Sequence, residues 1–148
     1  MLPLCSDQFG QQKMIGDQMI GDTLTPELEA IATQIVDAAF KVHSTLGPGL
    51  LESVYETCLA HELTKRGFKV QRQVVVPLIY DGVKLDAGLR LDLLVEDQII
   101  IELKAVEKMI PIFEAQVLTY LKLSGKRLAF LINFNVPVIK QGIKRFIH

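Results

Sequence analysis

The sequence predicts an α/β protein built on one mixed β-sheet flanked by helices, in the order helix, helix, three strands, helix, strand, strand. Three observations carry that expectation. Apolar residues recur at helical spacing over two consecutive stretches between residues 25 and 67. From Phe68 the texture changes to strand: FKVQRQVVVPLIYDG is rich in β-branched residues, and GLRLDLLVE and QIIIELKAV follow as apolar segments short enough to be strands. Finally, a helical stretch followed by the apolar run RLAFLINF makes a strand, helix, strand unit, which needs one parallel pairing reached by a right-handed crossover.

Residues 1–24 lack apolar periodicity and contain the near-repeat MIGDQMIGDT, so they are expected to form a poorly ordered leader ahead of a single domain over residues 25–148. Thr25-Pro26-Glu27 reads as an N-cap, a proline in the first turn and an early acid. Leu28, Ile31, Ile35, Ala38, Ala39 and Val42 then continue one helix to about Leu46. Gly47-Pro48-Gly49 breaks it. The segment LLESVYETCLAHELTKRG makes a second helix, with Leu51, Val54, Tyr55, Cys58, Leu59 and Leu63 expected inward and Gly67 as its stop. In FKVQRQVVVPLIYDG the strand texture ends at the turn pair Asp81-Gly82, and GLRLDLLVE and QIIIELKAV form a tight hairpin across Glu96-Asp97-Gln98. Pro111 opens the third helix, Ser124-Gly125 ends it, RLAFLINF is a strand buried in the sheet interior, and a short strand follows over Ile143 to Ile147.

Composition narrows the classes of function. Of the 148 residues, 49% are hydrophobic and 22% charged, and a chain of this length buries roughly 70% of its unfolded surface. No apolar run approaches the ~20 residues that cross a bilayer, and the N-terminus lacks the basic start and apolar core of a signal peptide, so a cytoplasmic location is the default expectation. Cys5 and Cys58 give neither a disulfide framework nor a metal-ligand spacing, and Cys58 reads as a core residue. Net charge is -1, but its distribution is uneven: residues 1–100 carry 8 Lys and Arg against 14 Asp and Glu, and residues 101–148 carry 8 against 3. That asymmetry suits either a phosphate-binding face or an ordinary solvated surface. Lys122, Lys126, Arg127, Lys140, Lys144 and Arg145 are the candidate phosphate contacts.

The stretch IIIELKA, residues 99–105, places Glu102 and Lys104 inside an apolar strand. Burying an unpaired charge costs several kcal/mol, on the order of the figures for buried ions, so these residues need partners or a use. Alternation puts Glu102 and Lys104 on one face. On the preceding strand Arg90 and Asp92 share a face, and a three-residue loop at Glu96-Asp97-Gln98 sets Asp92 opposite Glu102, with Cβ atoms ~5 Å apart. Two carboxylates that close repel unless a cation lies between them. Mg²⁺ suits the pair, with Mn²⁺ as a substitute, because it takes one or two carboxylates and completes its shell with water and substrate phosphate. The carbonyl of Leu103 is a further candidate ligand. Lys104 would supply positive charge to the same centre, so the three residues match the parts needed for metal-assisted phosphodiester hydrolysis. The alternative is a structural network of ion pairs joining Glu102 and Lys104 to Asp92 and Arg90.

Asp92, nine intervening residues and then Glu102-Leu103-Lys104 resemble the motif of the PD-(D/E)XK nuclease superfamily, with Leu91 where the name motif has proline. The predicted order of elements resembles its restriction-endonuclease-like core. Gly49-Leu50-Leu51-Glu52-Ser53-Val54-Tyr55 resembles the signature of the GxxExxY family within that superfamily, and HSTLGPGLLESVYE, LRLDLLVED, IELKAVE, AQVLTYLKLSG and LINFN extend the likeness over about residues 27 to 147. The resemblance implies a metal-dependent nuclease acting on DNA or RNA, with Asp92, Glu102 and Glu52 as metal-binding acids, Lys104 as the catalytic lysine and Gln116 near the site. A nuclease-fold module that binds nucleic acid or protein without turnover is the alternative, and a homodimer would be one source of specificity for so small a domain.

The remaining polar residues are read as follows. Glu56 is expected at the surface, Tyr55 in the core with a hydrogen-bonding role, and Tyr120 on the same helix face as Gln116. His43 is a helix-terminal histidine favoured by the macrodipole or a phosphate contact, His61 and His148 are surface residues, and Arg90 is a partner for Asp92.

Overall fold

The computed structural model describes residues 23–148, so the leader over residues 1–22, its near-repeat and Cys5 lie outside the described residues. Leu24, assigned to that leader, is instead buried in the core. Helix α1 spans Pro26–Leu46, with the Thr25 hydroxyl accepting from Leu28 N–H at 3.1 Å, the capping bond its sequence calls for. Helix α2 spans Glu52–Lys65 and packs against α1. Strands β1 (Val70–Val75), β4 (Arg90–Val95) and β5 (Ile99–Lys104) follow, with the short pair β2 (Leu78–Tyr80) and β3 (Val83–Leu85) between β1 and β4. Helix α3 (Pro111–Ser124), β6 (Leu128–Asn133), a 3-10 turn (Ile139–Gly142) and β7 (Ile143–Ile147) complete the chain.

The main sheet has the order β1-β4-β5-β6-β7, and only β5 and β6 run parallel. This is the restriction-endonuclease-like α/β architecture expected. Val95 pairs with Ile99, which fixes the β4–β5 register through a loop whose Glu96 and Asp97 both take left-handed backbone angles, φ 53° and 56°. The expectation of three strands before α3 is corrected to five, since PLIYDGVKL forms its own two-stranded ribbon around Asp81-Gly82. It stands apart from the sheet, exposing Ile79, Tyr80, Val83 and Leu85.

Two apolar layers enclose the sheet. On one side α1 and α2 bury Ile35, Tyr55, Leu59 and Leu63 against Leu93, Val95, Ile99, Ile101, Leu103, Phe130 and Ile132. On the other, Val117, Tyr120 and Leu121 of α3 cover Leu91, Leu94, Ile100, Ala129 and Leu131. Side-chain alternation holds along β5, where residues 99, 101 and 103 face α1 and α2 while Ile100 faces α3. It fails in β4. Leu91 and Leu93, two residues apart, lie in opposite layers, so the strand turns at Asp92. Cys58 is half-buried beside the core, as its helical position suggests, whereas Leu51, expected inward, precedes α2 and is 74% exposed.

Candidate active site

The turn in β4 is what opens the site. The β1–β4 ladder pairs Arg72 with Leu93 and Val74 with Leu91 but skips Gln73 and Asp92, and the β4–β5 ladder stops at Leu93 and Ile101. Continuing that register places Asp92 opposite Glu102, as the loop length predicts. Side chains close the gap where the ladder fails. Glu102 Oε1 accepts from Asp92 N–H at 3.1 Å, and Asp92 Oδ2 accepts from Leu103 N–H at 2.8 Å. In a strand, the N–H and C=O of one residue point to the same side, so the Leu103 carbonyl faces the gap that holds Asp92.

These carboxylates are costly where they stand. Burial, followed by the neighbouring charge of Asp92, pushes the Glu102 carboxyl up to about 8, against the backbone bond to Asp92 and the charge of Lys104. Asp92 is raised too, first by burial and also by Glu56, with the Leu103 N–H, Lys104 and Gln73 opposing. Glu52 is raised by partial burial and by Asp92, although it keeps an exposed position at the start of α2. Among the described residues, no ion pair joins Asp92 or Glu102 to a cation, which argues against the structural network of charges considered for IIIELKA. Lys104 places its ammonium 4.3 Å from the centroid of the Phe113 ring on α3, near enough to the acids to favour their ionised forms. Gln116 donates to the Tyr120 hydroxyl at 3.1 Å, and Tyr120 is raised by burial and then by Glu102.

The Gly49…Glu52…Tyr55 spacing has a local physical basis. Gly47 and Gly49 take φ 72° and 97°, angles that glycine adopts without strain, and they reverse the chain between α1 and α2. The Tyr55 hydroxyl, one turn into α2, donates to Gly47 C=O at 2.6 Å and accepts from Leu50 N–H at 3.1 Å, while its ring stacks on Phe134 at 4.6 Å. Tyr55 therefore fixes the turn that launches Glu52 toward Asp92.

Four sequence expectations are corrected here. Glu56 is buried, held by Arg72 at 3.1 Å and Gln73 at 2.8 Å, because α2 turns this face onto the middle of β1. Arg90 is exposed and makes no ion pair with Asp92, whose neighbour across the skipped β1–β4 pairing is Gln73. His43 is buried with Nε2 2.8 Å from the Val136 carbonyl, a structural tie between α1 and the segment after β6. Three of the six candidate phosphate contacts are committed elsewhere: Lys144 to Glu114, Arg145 to Glu29 and Lys126 to Asp97. Lys126 and Arg127 also lie at the wrong end of the sheet, beside the β4–β5 turn, whereas the acids lie at the opposite end of β5. Gln73 is the residue that sequence reasoning missed, since nothing in an alternating strand marks a left-handed glutamine.

The donor set fits a hard divalent cation. It consists of oxygens alone, two of them on desolvated acids with no counter-charge in place, with Glu52 and the Leu103 carbonyl on the margins. Among the described residues, no three His, Cys, Asp or Glu side chains close into a ready-made cage.

A mixed sheet whose central strands part around two opposed acids, followed by a lysine, defines a nuclease-type core. Residues 29–146 match the PD-(D/E)XK nuclease superfamily, and the chain belongs to it. No curated protein and no solved structure gives a significant match. No helix among the described residues is long and apolar enough to cross a membrane.

Proposed function

We propose that this chain is a metal-dependent nuclease of the GxxExxY family that hydrolyses phosphodiester bonds of DNA or RNA. The observation that carries this reading is the pair of opposed, desolvated acids at the parted end of β4 and β5, neither of them in an ion pair among the described residues. Asp92, Glu102 and the Leu103 carbonyl bind Mg²⁺, or Mn²⁺ in its place, and Glu52 completes the set from the solvent side. When bound, the ion polarises the phosphoryl group and activates water. Lys104 swings from the Phe113 ring toward the substrate and stabilises negative charge on the phosphoryl oxygens. Gln116 and Tyr120, joined to each other, supply hydrogen bonds on the α3 side. The turn locked by Tyr55 supports the placement in the GxxExxY family.

Cleavage of single- and double-stranded DNA and RNA in Mg²⁺ and Mn²⁺ tests the reading. Activity should be lost in Asp92→Ala and Lys104→Ala, and equal activity in all three proteins would mean a contaminant. A second reading, a nucleic-acid- or protein-binding module without turnover, draws on the backbone bonds that already engage both acids. Salt-dependent nucleic-acid binding with no cleavage in either metal would favour it, and specificity would then come from a homodimer or another partner.

A further inference from the structure

Gln73 is at odds with its strand. Its φ is 53°, a left-handed angle rarely adopted by a glutamine, in the middle of β1. The ladder drops its pairing with Asp92 at that position while keeping the pairs on both sides, Arg72 with Leu93 and Val74 with Leu91. A residue held out of its pairing within an otherwise regular strand is over-determined by something around it.

Its side chain shows what. The Gln73 amide donates to Glu56 Oε1 at 2.8 Å, and Arg72 Nε binds the other oxygen of that carboxylate at 3.1 Å. Arg72 also donates to Thr57 at 3.0 Å, so the middle of β1 is tied to α2 at adjacent positions. Across the sheet, Asp92 is the residue whose pairing with Gln73 the ladder skips. Gln73 therefore stands between an acid with both oxygens engaged and an acid at the mouth of the site. A carboxylate in place of this amide would add a third negative charge to the pair, and an aliphatic side chain could not hydrogen-bond Glu56.

We infer that Gln73 is a positioning residue for Asp92: its left-handed backbone, held by the tie of its amide to the Glu56–Arg72 pair, breaks the β1–β4 pairing at Asp92 and leaves that carboxylate turned toward the site, ready for a divalent cation. The two acids of α2 then have separate tasks, Glu52 toward the cation and Glu56 as the anchor. This rests on the metal-binding reading above, in which groups behind a metal ligand typically change affinity by about 10- to 100-fold when removed.

Gln73→Gly separates this role from a structural one, because glycine is at ease at φ 53° and removes only the side chain. Mn²⁺ affinity, measured by calorimetry and by the free-ion electron paramagnetic resonance signal, should fall about tenfold, while the thermal midpoint falls by no more than the loss of one hydrogen bond to Glu56 explains. Affinity equal to wild type, or falling only in step with the midpoint, would overturn the inference. On the unmodified chain, Mg²⁺ titration should shift the Gln73 side-chain amide resonances with the same midpoint as the Leu103 N–H. Unmoved Gln73 resonances beside a shifting Leu103 would also overturn it. Wild type and Asp92→Ala distinguish the two levels: if neither binds Mn²⁺, the metal reading fails first, and if only wild type binds, the behaviour of Gln73→Gly decides.

Discussion

Glu102 concentrates the chemistry of this fold in one side chain. Its carboxyl, raised from 4.5 to about 8 by burial and Asp92, holds a proton in the folded state over a pH range where the unfolded chain has released it. The folded state therefore binds more protons between those values, and stability falls as pH rises through that window. Asp92, raised by burial and by Glu56, adds a loss of the same sign at the lower end. In chelator-treated protein the thermal midpoint should drop from pH 5 to 8.5, by an amount on the order of a few kcal/mol of stability, and Glu102→Gln should flatten most of the slope. An unchanged slope in Glu102→Gln would place the titration elsewhere. Adding Mg²⁺ near neutral pH should release protons, since the ion takes the ionised carboxylate. Sequence reasoning reached Glu102 and Asp92 because alternation and a three-residue loop are local rules. It misread Glu56 because four residues along a helix from Glu52 there is no local signal that distinguishes an anchor from a solvated acid.

Among the elements, the segment after β6 holds the far side of the site in place. Asn133 is buried, and its side chain exchanges hydrogen bonds with Val106 N–H and C=O at 3.1 and 3.0 Å while also accepting from Asn135 N–H. It thereby pins the chain two residues beyond Lys104. Gly142 packs so closely that a Cβ there would run into the Asn133 carbonyl and touch Val136. Gly142→Ala should cost about 2 kcal/mol or more in urea denaturation, because the obstacle is backbone and cannot rotate away. A loss below about 0.5 kcal/mol would show that the turn yields freely. The β2–β3 ribbon is the opposite case. Pairing only with itself and with Ile79 and Tyr80 68% and 69% exposed, it should exchange its amide protons orders of magnitude faster than β5 and β6, which are buried on both faces. Protection comparable to β5 would mean that something covers the ribbon in solution. The Asp81-Gly82 turn was legible in the sequence, but the detachment of its ribbon was not, since VVVPLIY has the texture of one continuous strand.

At the level of the whole molecule, three of the eight basic residues after position 100 are already engaged by acids. Lys144, Arg145 and Lys126 answer acids brought to them by folding, and Lys126 sits at the end of the sheet remote from Asp92 and Glu102. If nucleic acid lies over the parted strands, Lys104→Ala should reduce the slope of log affinity against log salt by about one, and Lys126→Ala should leave it unchanged. A larger effect from Lys126 would move the nucleic-acid path to the opposite end of the sheet.

The sequence by itself determined the helices, the strands of the main sheet and their order, the parallel crossover and the opposition of Asp92 and Glu102, because capping, periodicity, turn length and strand alternation act within a few residues of one another. Only the tertiary structure decided that β4 turns at Asp92, that Gln73 and Glu56 stand behind it, that Lys104 rests over Phe113 and that Lys126, Lys144 and Arg145 are already paired with acids. Each of these depends on which distant segments the packed layers press together, and a pattern read along the chain carries no record of that.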